Sequence, residues 1–171
     1  MSEVRRRVLP SLRPRPVEPG EPYRILLVSS SGGHLSQLLQ LRPWWSAHER
    51  TWVCFDTADA VDALAGERWV RGHFPTTRNV PNLLRNLVLA LGTLRKFRPD
   101  LIVSDGAGLA VPFFWLSRLF RSRTIYLEVY DRIDSPTMTG RLVGPVTDLM
   151  VVQWDQQVDC YPGATVAGPL Y

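Results

Sequence analysis

The sequence predicts an α/β fold, a Rossmann-like, doubly wound parallel sheet. The main observation is that strand-like apolar runs alternate with helical segments from Arg24 onward. Such alternation is typical of parallel strands joined by right-handed crossover helices that cover both faces of one sheet. A second observation is size, because 171 residues with 45% apolar content can bury the core of one domain and leave little room for another.

The predicted elements follow in regular order. Apolar runs predict strands over residues 24–29, 51–56, 69–74, 101–104, 124–129, 149–153 and 165–167. Helical segments fill the intervals at residues 35–41, 58–65, 81–97, 110–120 and 155–160. The interval between the fifth and sixth strands is predicted to be a polar loop. In a sheet of this kind, ligands bind at the carboxyl ends of the strands, so the loops that follow strands are the places to look for function.

The first 22 residues are predicted to be a disordered, Arg/Pro-rich leader, and residues 23–171 to be the folded domain. The leader contains Pro10, Pro14, Pro16, Pro19, Gly20 and Pro22, a composition that does not pack into a core. Residues 1–24 hold six arginines against three glutamates, which leaves 14 basic and 13 acidic residues in the remainder. A nearly neutral domain argues against nucleic-acid binding. The basic leader fits either weak attraction to an anionic membrane surface, at about 1 kcal/mol per arginine, or plain solvation.

No segment of the sequence predicts export or a membrane span. The N-terminus lacks the apolar core of a signal peptide, and the longest apolar run, 109–116, is far shorter than the roughly 20 residues that a spanning helix requires. Cys54 and Cys160 show neither a disulfide framework nor metal-ligand spacing, so no metal and no cofactor is expected. We therefore expect a cytoplasmic protein that is peripheral on the inner face of the cell membrane.

The loop after the first strand reads Ser29-Ser30-Ser31-Gly32-Gly33-His34. Its glycines, with the N-terminus of the next helix, can bring backbone N–H groups up to a phosphate or diphosphate. The loop is neither a dinucleotide fingerprint nor a P-loop. Asp56, however, stands where a ribose-binding acid would fall, so a nucleotide-cofactor protein remains an alternative. His34 is either a catalytic base or a residue that satisfies the turn.

Two further loops carry candidate site residues. The fourth strand runs into Asp105-Gly106-Ala107-Gly108, which can supply a second anion site or simply make a tight turn. The fifth strand delivers Glu128, followed by a polar loop that contains Arg132. Glu128 is either a general base or a buried structural acid paired with Arg132.

The predicted helix 81–97 has a wide apolar sector with basic residues at its margins. Leu83, Leu84, Leu87, Val88, Leu91, Leu94 and Phe97 form this sector. The breadth of the sector fits a helix that packs on the sheet with one flank and rests on a membrane with the other. An ordinary buried helix is the alternative.

The combined motifs identify a family resemblance. They are Ser-Gly-Gly-His after the first strand, Thr77-Arg78-Asn79-Val80, Asp105-Gly106-Ala107-Gly108, Glu128 with Arg132, Thr139-Gly140-Arg141-Leu142, Val152-Gln153-Trp154, Tyr161-Pro162 and Gly168-Pro169-Leu170-Tyr171. Over residues 24–171 the chain resembles the acceptor-side subunit of the eukaryotic enzyme that adds the second N-acetylglucosamine to dolichol diphosphate. It is still more similar to the related bacterial capsule and exopolysaccharide subunits. The Ser-Gly-Gly-His loop is shared with the peptidoglycan enzyme that glycosylates lipid I.

The resemblance implies the N-terminal half of a GT-B glycosyltransferase, whose nucleotide-sugar half is a separate, donor-side subunit. The expected reaction is inverting sugar transfer to a polyprenyl-diphosphate-linked sugar in bacterial polysaccharide biosynthesis. The alternative is a noncatalytic recruiter that brings a complete transferase to the membrane.

This reading assigns expected roles to named residues. His34 is the first choice for general base, with Glu128 and Asp105 as alternatives. The expected diphosphate-binding residues are Ser31, Gly32, Gly33, Gly106, Gly108, Arg78 and Arg132. The expected contacts with the donor-side subunit are Gln153, Trp154, Leu170 and Tyr171.

Overall fold

The computed structural model describes Pro16, Glu18 and residues 20–170. Most of the predicted leader and Tyr171 lie outside the described residues. Seven strands form one sheet, namely β1 (Arg24–Val28), β2 (Glu49–Phe55), β3 (Trp69–Gly72), β4 (Leu101–Ser104), β5 (Arg123–Leu127), β6 (Leu149–Val152) and β7 (Thr165–Val166). Every pairing between neighbouring strands is parallel, and the strand order is β3-β2-β1-β4-β5-β6-β7. The predicted fold class is confirmed.

Helices cover both faces of the sheet and bury two apolar layers. They are α1 (Gly33–Gln40), α2 (Arg42–Trp45), α3 (Ala58–Ala63), α4 (Val80–Phe97), α5 (Ala110–Phe120), α6 (Met138–Val143) and α7 (Gln157–Cys160), with a 3₁₀ turn at Gly144–Val146. One core cluster includes residues of α1, α2 and α3, and the other includes residues of α4, α5 and α6. Because strand side chains alternate between faces, β1 contributes Leu26 and Val28 to one cluster and Ile25 and Leu27 to the other.

Two helices were not predicted from the sequence. α2 is a four-residue helix that directly follows α1. α6 lies in the segment predicted to be a polar loop, and it begins after Thr137, whose hydroxyl accepts a hydrogen bond from the Gly140 N–H. This N-cap, which satisfies a donor of the first helical turn, is the sequence signal that could have indicated the helix.

Helix α4 buries a polar face that its apolar sector does not predict, and it leaves one flank of that sector exposed, as the first of the two expectations requires. Its buried residues are Asn82, Asn86, Ala90, Thr93 and Leu94, whereas most of the predicted apolar sector is exposed or half-buried. Asn86 accepts a hydrogen bond from the backbone N–H of His73 at 2.8 Å and donates to its carbonyl at 2.9 Å. Asn82 donates to the carbonyl of Pro75 at 2.9 Å. The polar face thus turns inward because its amides serve the backbone that leaves β3.

The sheet changes winding direction between β1 and β4. From β1 the chain continues outward to β2 and β3, and then returns to add β4 on the other side of β1. The loops after β1 and β4 therefore leave neighbouring strand ends, with Val28 paired to Ser104. Such a switch point opens a crevice at the carboxyl edge of the sheet.

Candidate active site at the switch point of the sheet

A cavity of about 380 Å³ opens at this switch point. Its lining combines the loops after β1 and β4 with the segments that precede α4 and α6. The lining residues are Ser30, Ser31, His34, Phe55, Phe74, Thr76, Thr77, Gly106, Ala107, Gly108, Tyr126, Thr137 and Thr139. We call this the first cavity. The structure thus brings together His34, Ser31, Gly106 and Gly108 from the predicted site.

His34 supplies the imidazole in the wall of the first cavity. It lies in the first turn of α1, and its side chain is 32% exposed. Its Nδ1 is 3.2 Å from the carbonyl oxygen of Asp105 and 3.4 Å from the Oδ2 of the same residue. Burial lowers the pKa of His34, but the contacts with Asp105 outweigh burial and raise the pKa above its ordinary value.

Asp105 lies behind His34, away from solvent. It is 0% exposed and does not line the first cavity. Ser29 Oγ donates a hydrogen bond to its Oδ1 at 3.1 Å. Burial raises the pKa of Asp105, and the contacts with His34 and Ser29 oppose that rise. Its position is therefore wrong for a base that must touch a substrate and suits an acid that orients His34.

Gly106 permits the close contact between the two loops. A Cβ atom at this position would lie 2.8 Å from Cε1 of His34, and the backbone φ of 132° already disfavours any side chain. Gly108 lies close to Thr76, since a Cβ atom there would be 3.1 Å from the threonine Cβ. Gly106 therefore meets a steric and a backbone constraint, whereas Gly108 meets a tight contact alone.

The loop after β1 is only partly available to an anion. The N–H of Gly32 donates to Oδ2 of Asp59 at 2.8 Å, so a carboxylate of the chain already occupies this donor. Hydrogen bonds from Thr57 and from Gly32 lower the pKa of Asp59 and keep it charged. Gly33 lines a different, second cavity on the other side of His34. The expected role of Gly32 in diphosphate binding is not supported by this geometry, and Asp59 was missed because its contact joins separate loops.

Glu128 is also fully buried and does not line the first cavity. Its carboxylate accepts hydrogen bonds from Tyr161 Oη, from Thr137 Oγ1 at 3.1 Å and from its neighbour's N–H, that of Val129, at 2.8 Å. Burial is the main cause that raises the pKa of Tyr161, and the contact with Glu128 raises it further. The phenol therefore stays protonated and donates its hydrogen bond to Glu128. The alternative of a buried structural acid fits the position, but the predicted partner is wrong, because these hydroxyls rather than Arg132 hold the carboxylate.

The two predicted arginines lie outside the lining of the first cavity. Arg78 is exposed in the turn before α4, next to the cavity residue Thr77. Arg132 is exposed, and its carbonyl accepts a hydrogen bond from Gln157 Nε2 at 3.0 Å. Neither guanidinium is placed in the cavity wall.

The residues expected to contact a donor-side subunit are not equally accessible. Gln153 is 1% exposed, and its side chain bonds to Gln37, to the carbonyl of Glu128 and to the N–H of Leu170. The expectation that Gln153 contacts a partner directly does not fit this structure, because its side-chain amide is buried and makes hydrogen bonds within the chain. Trp154 and Leu170 are partly exposed.

The structure also bears on the cofactor alternative. Asp56 pairs with Arg71, and it is absent from the lining of the first and second cavities. Within the described part of the chain, no three His, Cys, Asp or Glu side chains are grouped so as to hold a metal ion. Among those same residues, no helix has the length and apolarity needed to cross a membrane.

Several cavity residues were given no site role from the sequence, although Thr77 and Thr139 belong to the quoted motifs. Tyr126 and Thr137 share a hydrogen bond of 2.9 Å, and Thr139 follows at the start of α6. Thr76 and Thr77 precede α4 and reach the same cavity. A Rossmann-like sheet whose glycine-rich switch-point crevice is lined by a histidine and hydroxyl side chains defines the class: α/β proteins that bind a ligand at the carboxyl edge of the sheet.

Comparison with solved structures agrees with this class. The fold is similar to that of Acinetobacter baumannii MurG, with a TM-score of 0.68, 14% sequence identity and coverage of 85% of this chain and 45% of MurG. The chain thus spans less than half of that enzyme. At this identity the similarity shows the fold alone.

Comparison of sequences gives the family. Residues 73–170 match the family described as "Oligosaccharide biosynthesis protein Alg14 like", and the chain belongs to this family. It is 25% identical to the human "UDP-N-acetylglucosamine transferase subunit ALG14" across 92% of this chain and 87% of the human one. A shorter match, 34% identical, covers 40% of this chain and 18% of the Syntrophotalea carbinolica "UDP-N-acetylglucosamine--N-acetylmuramyl-(pentapeptide) pyrophosphoryl-undecaprenol N-acetylglucosamine transferase".

Proposed function

We propose that this chain is the acceptor-binding subunit of a heteromeric, inverting glycosyltransferase. The donor-side subunit binds a nucleotide diphosphate sugar, and the acceptor is a polyprenyl-diphosphate-linked sugar. The observation that carries the proposal is the pair formed by His34, in the wall of the first cavity, and the buried Asp105 behind it. Family membership supports the subunit role, because the human relative is named as a subunit of a UDP-N-acetylglucosamine transferase.

The proposed reaction uses His34 as the general base. Nδ1 faces Asp105, so the neutral tautomer with its proton on Nδ1 leaves Nε2 as the acceptor. Nε2 takes the proton of the acceptor hydroxyl while the hydroxyl oxygen forms a bond to the anomeric carbon of the donor. The bond from that carbon to the diphosphate breaks, and the nucleotide diphosphate leaves with the electron pair. The carboxylate of Asp105 stabilises the imidazolium that forms.

The diphosphate of the acceptor is proposed to lie in the first cavity. Ser31, Gly106 and Gly108 line it, and the hydroxyls of Thr76 and Thr77 border the same space. Hydroxyl and backbone donors of this kind bind phosphate oxygens. Arg78, adjacent to Thr77, is proposed to add positive charge at the rim, and the role of Arg132 stays a prediction.

The proposal requires a second subunit, because a GT-B site lies between two half-domains. The test is turnover by the purified chain, by a donor-side subunit and by their one-to-one mixture. We expect activity only in the mixture, since positioning of both substrates accounts for about 7 to 11 kcal/mol of barrier lowering. Turnover by the single chain would contradict the split enzyme. Full activity of the assembled His34→Ala, Asp105→Asn and Glu128→Gln variants alike would instead favour the noncatalytic recruiter.

Attachment to an anionic membrane surface is the second part of the proposal. We define the outer apolar face as Leu84 and Val88 of α4 and Trp115 and Leu119 of α5. The exposed fraction of these residues ranges from 45% to 71%. The two helices pack against each other and contain no acidic residue. Arg95, Arg98 and Arg121 border a surface depression at their C-terminal ends, together with Pro16 of the leader. Apolar side chains bordered by cations suit a surface of anionic lipid.

Vesicle sedimentation tests this attachment. We expect binding to anionic vesicles that weakens with salt, as screening requires, and that weakens further on deletion of residues 1–22. Val88→Glu should reduce binding, whereas the matched control Val61→Glu, on exposed α3 across the sheet, should not. An equal loss of vesicle binding in both variants would contradict the assigned face. So would an absence of binding to anionic and neutral vesicles alike.

The third part of the proposal concerns the biosynthetic pathway and the lipid carrier. We propose bacterial capsule or exopolysaccharide biosynthesis with an undecaprenyl carrier, at the inner face of the cell membrane. The motif resemblance supports capsule or exopolysaccharide biosynthesis, and the short match to a bacterial undecaprenol transferase supports the undecaprenyl carrier. Assays of the assembled pair with undecaprenyl and dolichyl acceptors test the carrier directly, and a preference for dolichyl lipid would contradict it.

A further inference from the structure

A second cavity, of about 300 Å³, lies on the other side of His34 from the first. Two walls enclose it, the first turns of α1 and the loop after β5. Its lining residues are Gly33, His34, Gln37, Val129, Tyr130 and Asp131. His34 is the residue that the two cavities share.

The loop wall of this second cavity is held by side chains from the segment after β6. Gln157 Nε2 donates to the carbonyls of Val129 and Arg132, both at 3.0 Å. Trp154 Nε1 donates to the carbonyl of Tyr130 at 3.0 Å. These hydrogen bonds hold the backbone of the loop against the segment after β6.

The helical wall contains a buried donor that the fold leaves unused. Gln37 is 3% exposed and is the one buried residue of the lining. Its Oε1 accepts from Gln153 Nε2 at 2.9 Å, whereas its Nε2 has no hydrogen-bond partner among the described residues. A buried donor without a partner is unfavourable, and a ligand oxygen that accepts from it would remove that penalty.

The opposite wall carries an acceptor. Asp131 is exposed in the loop, and its charge contributes to the raised pKa of His34, which places the two groups within electrostatic reach. An amide donor, a carboxylate acceptor and a histidine base around one small space match the alternating donors and acceptors of a sugar.

We propose that the second cavity binds the sugar of the lipid-linked acceptor. Asp131 accepts a hydrogen bond from one sugar hydroxyl, Gln37 Nε2 donates to another sugar oxygen, and the reacting hydroxyl faces His34. The diphosphate then lies across His34, in the first cavity. This assignment rests on the proposed function and adds to it a residue pair that determines acceptor specificity. It also gives Gln153 and Trp154 a role in building the site rather than in contacting a partner.

The test compares two lipids on the assembled pair. One lipid is bare undecaprenyl diphosphate. The other carries a glucosyl, galactosyl or N-acetylglucosaminyl group, and the form used for the binding measurements is the one that supports transfer. Asp131→Asn should weaken binding of the glycosylated lipid about tenfold, as expected for loss of a hydrogen bond to a charged group, and leave the bare lipid unchanged. The matched control is Asp134→Asn, an exposed aspartate of the same loop outside the lining, which should change neither.

Gln37→Glu provides an independent arm. It keeps an oxygen for Gln153 but replaces the Nε2 donor by an acceptor, so it should also weaken only the glycosylated lipid. Equal weakening of both lipids by Asp131→Asn, or no change in either, overturns the subsite while the proposed function stands. Failure of the unchanged pair to bind either lipid overturns the proposed function and this assignment with it.

Discussion

Neighbouring strands β4 and β5 each end in a fully buried carboxylate, and the two acids have different surroundings. Asp105, after β4, has a partly exposed histidine as its neighbour on the side of the first cavity. Glu128, after β5, is enclosed by Tyr161 and Thr137, which tie it to α7 and α6. The first acid can influence a reaction through His34, whereas the second holds elements together.

The comparison teaches that equivalent positions at a sheet edge do not imply equivalent chemistry. A buried carboxylate acts on a substrate only through a neighbour that reaches the cavity. His34 is such a neighbour for Asp105. Thr137 also lines the first cavity beside Glu128, but its hydroxyl is already engaged with Glu128, Tyr126 and the Gly140 N–H. We therefore expect catalytic effects at the β4 end and stability effects at the β5 end.

The largest expected effect is that of His34→Ala. Loss of a positioned general base should lower the turnover number of the assembled pair by about 100-fold to 10,000-fold. Steady-state kinetics with varied lipid acceptor measures it, and a pull-down confirms assembly. His73→Ala, at an exposed histidine after β3, is the control and should retain activity. A normal turnover number for His34→Ala would remove the β4 end from catalysis.

Asp105→Asn should have the next largest effect and a distinct pH signature. Loss of one charge-assisted contact should lower turnover about 10-fold to 100-fold. A base must be neutral, so activity of the unchanged enzyme should fall as pH drops through the raised pKa of His34. Removing the Asp105 charge lowers that pKa, and the acid limb of the pH–rate profile should move to lower pH. An acid limb that stays in place would contradict the positioning role.

Glu128→Gln should change stability more than turnover. The amide nitrogen that replaces one carboxylate oxygen is a donor that faces the donors around Glu128, at a cost of about 1 to 3 kcal/mol. Denaturant unfolding of the isolated chain should show a lower midpoint with an unchanged slope. Turnover per assembled complex should stay close to that of the unchanged enzyme. If turnover is abolished while the fold is intact, Glu128 is the base and the comparison is reversed.

Tyr161→Phe should have the smallest effect, about 1 kcal/mol of stability, because Thr137 and the Val129 N–H still serve Glu128. Combining it with Glu128→Gln completes a double-mutant cycle. We expect the double variant to lose less stability than the sum of the single ones. Additive losses would show that Tyr161 and Glu128 are not energetically coupled, and would contradict the assigned contact.

Much of the fold and part of the site follow from local sequence. Apolar runs between helical segments predict each of the seven strands, because a parallel strand that is buried on both faces consists mainly of consecutive apolar residues. A histidine after a glycine pair at the end of β1 likewise predicts a side chain at the carboxyl edge. These features depend on neighbouring residues, and pattern reasoning detects them.

Other features depend on residues that are distant in the chain, and only the tertiary structure decided them. Gly32 bonds to Asp59, and Ser29 bonds to Asp105 across 76 positions. The leucines of α4 predict an inward face, yet Asn82 and Asn86 turn inward because the backbone after β3 needs hydrogen-bond partners there. Apolar periodicity records how much of a helix can be buried, whereas the unpaired polar groups of the neighbouring element decide which side is buried.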